Sequence, residues 1–181
     1  TRPHASLFTS HEQEIIAPIY TEIRLGELSP SETEDMMESM LNTDVLPDDL
    51  CRLIRNRAEG NPFYLEEIIN ALLESNVLTY EEDRWQMNRA FKEADIPSTI
   101  HGVIASRMDQ LGPEDKRILQ EAAVIGRAFL YDILKRISVH GDAVDAGLYK
   151  LERAGLIKPR ALHPEMEFMF KHALIQEVSY G

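Results

Sequence analysis

A histidine placed where a strand gives way to a helix is the residue of this chain best suited to do chemistry. In Phe168-Met169-Phe170-Lys171-His172-Ala173-Leu174-Ile175, apolar and other residues alternate up to Phe170. That is the period of a strand with one buried face. Ala173, Leu174 and Val178 then follow helical spacing, so His172 stands at a helix start. The positive end of a helix dipole disfavours an imidazolium and favours the neutral ring. A neutral ring can donate an N–H to a phosphate lying at the same helix end. The alternative is a partly buried histidine hydrogen-bonded to a nearby backbone carbonyl.

Gly60-Asn61-Pro62 lies between two helical patterns. Glycine ends the first through a left-handed cap, and proline opens the second with its fixed φ. The same proline ring, held rigidly at a corner, offers a flat apolar surface on which an adenine can rest. Arg2 follows what reads as a strand end. Strand ends of open α/β sheets face the ligand crevice, where a forked guanidinium reaches phosphate. A solvated arginine at a frayed terminus is the other reading. His4, His11, His101, His140 and His163 show no metal spacing to one another or to a cysteine. Glu66-Glu67 and the acidic residues between Glu32 and Glu38 read as solvated helix faces.

The chain contains no Gly-x-x-x-x-Gly-Lys-Ser/Thr loop and no strand with paired acids to hold magnesium. These 181 residues are therefore expected to have no catalytic residues and no enzymatic activity of their own. Composition narrows the classes further. Nineteen basic residues against 31 acidic ones give a net charge of −12, which argues against free-standing nucleic-acid binding. No apolar run approaches the roughly 20 residues of a membrane helix, and residues 1–10 lack the basic-then-apolar order of a signal peptide. Cys51 is the single cysteine. It reads as a core thiol in a reducing compartment, and the expected location is the cytoplasm.

The elements that position these residues are mostly helical. Ser29-Pro30-Ser31-Glu32 carries an N-cap, a first-turn proline and a capping-box glutamate. Met36, Met37, Met40 and Leu41 supply that helix with an apolar stripe. Pro47 opens a second helix with Leu50, Leu53 and Ile54 inward, and Pro62 a third in which Phe63, Leu65, Ile68, Ile69, Leu72 and Leu73 fill a broad apolar face. A hairpin around Glu81-Glu82-Asp83-Arg84 follows. Ile100, Val103, Ile104, Met108 and Leu111 mark a fourth helix. Helices over Pro113–Ile125, 129–137 and 142–154 then precede a second hairpin, with strands over 156–160 and 165–170. Three helices and a two-stranded wing are the order of a winged helix. The expected fold is mainly α: a helical lid subdomain followed by a winged-helix domain, with two short β-hairpins. Without an initiator methionine, the sequence reads as part of a longer protein.

Taken together, Gly60-Asn61-Pro62-Phe63-Tyr64-Leu65-Glu66-Glu67-Ile68, Ile96-Pro97-Ser98-Thr99-Ile100, Ser106-Arg107-Met108-Asp109-Gln110-Leu111 and Ala122-Ala123-Val124-Ile125-Gly126-Arg127-Ala128-Phe129 resemble the STAND class of AAA+-related signalling ATPases. The group most similar is the ATPase region behind adenylate/guanylate cyclase domains and in MalT-type transcriptional regulators. The resemblance implies three units: the end of a nucleotide-binding α/β core over 1–27, a helical lid over 28–95, and a winged helix over 96–181 with its last helix truncated.

It further implies that Arg2 lies near the γ-phosphate and that Pro62, at the lid corner with Gly60, packs against adenine. His172 would contact the β-phosphate of ADP and lock an inactive state. Relatives usually carry Met-His-Asp there; this chain has Lys171-His172-Ala173. The implied cofactor is ATP or ADP with Mg in the full-length protein, not bound tightly by these residues alone. The implied partners are an upstream P-loop subdomain of the same chain and effector domains, either cyclase or helical repeats. Two other readings stand beside it: a DNA-binding winged helix of a transcription regulator, and an interaction scaffold with no nucleotide role.

Overall fold

The computed structural model describes residues 25–88, 96–161 and 164–181. Arg2 and nearly all of the unit expected over 1–27 lie outside the described residues. The described part is mainly helical, with two small antiparallel sheets.

Helix α1 (Pro30–Leu41) starts as its local chemistry dictates. The Ser29 hydroxyl accepts from the Glu32 N–H, and the Glu32 carboxylate accepts from the Ser29 N–H at 2.7 Å. Helices α2 (Asp48–Ala58) and α3 (Pro62–Glu74) follow, then the hairpin β1 (Leu78–Glu81) and β2 (Arg84–Met87). Glu82 and Asp83 turn the hairpin with φ of 52° and 58°, the left-handed pair of a type I′ turn. The Trp85 indole N–H donates to the Leu41 carbonyl at 3.0 Å and pins the hairpin to the end of α1. Met37, Leu50, Ile54, Leu65, Ile68 and Ile69 form the centre of this first core.

Helix α4 (Ile100–Asp109) opens the second half, its N-cap being Thr99, whose hydroxyl accepts from the Gly102 N–H. Then come α5 (Pro113–Ile125), β3 (Ala128–Leu130), α6 (Tyr131–Ile137), α7 (Val144–Arg153), β4 (Ile157–Ala161), β5 (Glu167–Phe170) and α8 (Ala173–Tyr180). The sheet order is β3-β5-β4, all antiparallel, with Phe129 opposite Phe168 and Ile157 opposite Phe170. This is the winged-helix order with one strand more than expected. Residues 128–130 are strand and not the start of α6, because pairing with β5 buries Phe129 between Phe168 and Phe170. A single turn of helix there offers no comparable burial. Pro159, which lacks an N–H, sits beside a register shift in β4, an edge strand, where the rule for strand prolines places it.

The two cores meet on α4. Val103 belongs to the first, Ile104 and Met108 to the second, and Ile100 packs against both. One helix therefore serves both sides. Val103, Ile104 and Met108 are buried and contribute about 1.5–3 kcal/mol each, so α4 ties the halves together strongly.

Candidate functional site

The corner before α3 is built by backbone geometry. Gly60 has φ of +75°, and its carbonyl accepts from the Leu28 N–H at 2.8 Å. A Cβ there would come within 2.6 Å of the Leu28 carbonyl oxygen. Asn61 then caps α3: its side-chain oxygen accepts from the Phe63 and Tyr64 N–H groups at 3.0 and 3.1 Å. Pro62 has no N–H to give. The first turn of α3 consequently has no spare amide for an anion, and what it exposes is the Pro62 ring.

His172 is the N-cap of α8, with extended backbone. Its Nδ1 accepts from the Leu174 N–H at 3.2 Å. An accepting Nδ1 carries no proton, so the neutral ring has its N–H on Nε2. No partner for Nε2 is present among the described residues. The ring lies against Phe63, centroids 3.8 Å apart and planes 16° from parallel. One turn further along α3, Glu66 forms an ion pair with Lys171. The first two turns of α3 are thus each joined to the β5–α8 junction, and Phe63 also packs against the second core. Helix α8 begins at Ala173, because Lys171 still bonds the Leu156 carbonyl as the sheet does, and His172 is extended.

Burial pushes the His172 imidazole below its ordinary value, the Arg127 guanidinium lowers it further, and Glu66 opposes both. The sign of the consequence follows. Between the folded value and about 6.5, the unfolded chain binds more protons, so stability rises with pH there. The contribution of His172 is present above that range and lost as pH falls through the folded value. Urea unfolding should accordingly lose stability on acidification from pH 8 to 5 more steeply in wild type than in His172→Gln. Equal slopes would contradict this account.

Of the site residues read from sequence, the structure joins His172 to the Pro62 corner through Phe63. Gly60 is engaged in the backbone geometry of that corner, and Arg2 lies outside the described residues. Two features were not foreseen. Phe63 was read only as one of the apolar residues of α3, since nothing local marks its stacking partner. Glu67 was read as part of a solvated face, and that is corrected: it is wholly buried, with Oε2 accepting from Arg107 Nη1 at 2.6 Å. Arg107, 1% exposed, also forks onto both oxygens of Glu74 and donates to the Ala154 carbonyl at the end of α7. The signal available was faint: helical spacing from Phe63, Tyr64 and Ala71 sets Glu67 at the margin of the apolar arc of α3.

A cavity of about 380 Å³ lies elsewhere, between α3 and α4, with Leu72, Val77, Ile96 and Val103 in its wall. None of its lining side chains titrates, and neither Pro62 nor His172 borders it. Among the described residues no group of three or more His, Cys, Asp or Glu is placed to hold a metal ion. Among them, too, no helix is long and apolar enough to cross a membrane. Cys51 is half-buried, and burial raises its thiol above the ordinary value, which makes it a poor nucleophile at neutral pH.

Residues 29–86 match the family model of a domain of unknown function (DUF8739), a stretch that runs from the Ser29 cap of α1 into β2. No curated protein and no solved structure matches the chain.

Proposed function

We propose that these residues are the lid and winged-helix part of a STAND-type, ATP/ADP-switched signal-transduction protein. In this reading ADP bridges an upstream P-loop core and the surface formed by Pro62 and His172. It holds the protein inactive until exchange for ATP releases the winged helix and its effector domains. Magnesium and the catalytic groups belong to the upstream core. The observation that carries the proposal is the disposition of His172. Its Nδ1 is occupied by the cap of α8, and stacking on Phe63 brings the ring to the lid corner. The remaining Nε2–H is a neutral donor of the kind a phosphate at a helix start requires. Pro62, next to Phe63 in sequence, is exposed, which suits a contact to the base.

A DNA-binding role fits less well. On α7, the natural recognition helix, Lys150 is paired with Asp115, and Arg153 lies over the Tyr149 ring. Asp145 adds a carboxylate paired to Lys135 on α6. Little free positive charge remains on that face for phosphates.

In the full-length protein, His172→Ala should weaken ADP retention by roughly tenfold or more, the worth of one hydrogen bond to a charged group, and raise basal output. Pro62→Ala should weaken adenine nucleotides generally. Calorimetric titration with ADP together with an output assay tests both. Wild-type affinity and output in His172→Ala would remove the proposal.

A further inference from the structure

We infer that Phe63 is the positioning residue of this site, holding the His172 ring in one orientation and coupling the phosphate contact to the lid corner. The inference rests on the proposed function and names what regulates its geometry. An N-cap hydrogen bond alone leaves an exposed imidazole free to swing about its side-chain bonds. Here a second constraint is added, because the ring lies almost parallel to Phe63 at a centroid separation of 3.8 Å. Phe63 is itself held at both ends. Its N–H donates to the Asn61 side chain, and its ring packs against the winged-helix core. The Glu66–Lys171 ion pair repeats the tie one turn away. Pro62, next to Phe63, cannot shift without moving the surface on which His172 lies. Contact with the base and contact with the phosphate are therefore mechanically linked, and a ligand engaging both gains from a geometry that is set in advance.

The arrangement also gives Phe63 a signature that a purely structural residue lacks. Removing the ring leaves the Nδ1 bond and Pro62 in place, but hydrates the imidazole and releases its orientation. In the full-length protein, Phe63→Leu should weaken ADP about as much as His172→Ala, roughly tenfold, while adenosine binds as in wild type. The double variant should be no weaker than His172→Ala alone, since both substitutions remove one interaction. Phe63→Tyr, which keeps the ring face, should retain ADP. By nitrogen-edited NMR, the His172 titration should move up toward the ordinary histidine value in Phe63→Leu, while the Nδ1 cap keeps the Nε2–H tautomer.

The outcomes separate the two levels of the argument. If His172→Ala weakens ADP while Phe63→Leu binds normally and keeps the wild-type His172 titration, Phe63 does not position the ring and the inference falls alone. If His172→Ala leaves ADP binding unchanged, the site itself is wrong and the inference falls with it. Additive losses in the double variant would also overturn it, because they would mean that Phe63 acts on the ligand independently of His172.

Discussion

Replacing Arg107 by alanine is expected to destabilise the fold by about 3–5 kcal/mol, the usual cost of orphaning a buried ion pair. The guanidinium is the shared partner of Glu67, of both Glu74 oxygens and of the Ala154 carbonyl. Its loss does not fall evenly on these groups. The Glu74 side chain is 30% exposed and can turn to water. Glu67 is 0% exposed and its Oε1 already lacks a hydrogen-bond partner, so it has no such recourse. The cost therefore concentrates on one carboxylate, and that makes the prediction specific. Adding Glu67→Gln to Arg107→Ala should restore part of the loss, because a neutral amide replaces the orphaned anion. Arg107→Lys should not substitute, since an ammonium cannot fork onto Glu74 and reach Glu67 and Ala154 together.

The pH dependence supplies a second measurement. Burial raises the Glu67 carboxyl above its ordinary value, with Arg107 opposing and Glu66 and Glu74 reinforcing. Over the range from about 4.3 up to the folded value, the folded chain binds more protons, so stability falls as pH rises. Glu67→Gln alone should flatten that slope. Urea unfolding from pH 4 to 8 reads all of these variants, and a loss below about 1 kcal/mol in Arg107→Ala would show the cluster to be energetically idle.

Arg107 also marks the limit of what a sequence pattern can convey here. Helix starts were legible where their chemistry is local. The Ser29 box, Asn61-Pro62 and Pro113 each set a terminus through groups within three residues, and α1, α3 and α5 begin there. The place of His172 at a helix start was legible in the change of period around it; its role as the cap was not. Strand β3 was not, because the three apolar residues Ala128-Phe129-Leu130 become a strand only by pairing with β5. Glu67 was misread because its partner lies 40 positions away, and Lys171 finds Glu66 across 105. Local acidity on a helix signals solvent in the absence of such partners, and no spacing within α3 announces them. The contact between Phe63 and His172 belongs to this second kind, so the candidate site was legible as separate residues and not as an arrangement.

Gly60→Val should be the most damaging change at the corner before α3, costing at least about 2 kcal/mol. Two effects combine. A left-handed backbone is disfavoured for any side chain by about 1–2 kcal/mol, and β-branching worsens it. The new Cβ also meets the Leu28 carbonyl oxygen at 2.6 Å and the Leu28 nitrogen at 3.1 Å. These are backbone atoms that cannot rotate aside, so a clash costing typically 1–3 kcal/mol is added. Relief requires moving the segment that holds the Leu28 N–H to Gly60 carbonyl bond, and Asn61, Pro62 and Phe63 follow directly. Two roles for Gly60 can then be told apart. As a ligand contact only, Gly60→Ala would lower nucleotide affinity and leave unfolding unchanged. As the scaffold of the corner, it lowers the urea midpoint without nucleotide, and any loss of ADP affinity accompanies a shift in the His172 resonances, because Phe63 carries the displacement to the ring. The second outcome is expected. A variant with wild-type stability and weakened ADP binding would instead make Gly60 a direct contact.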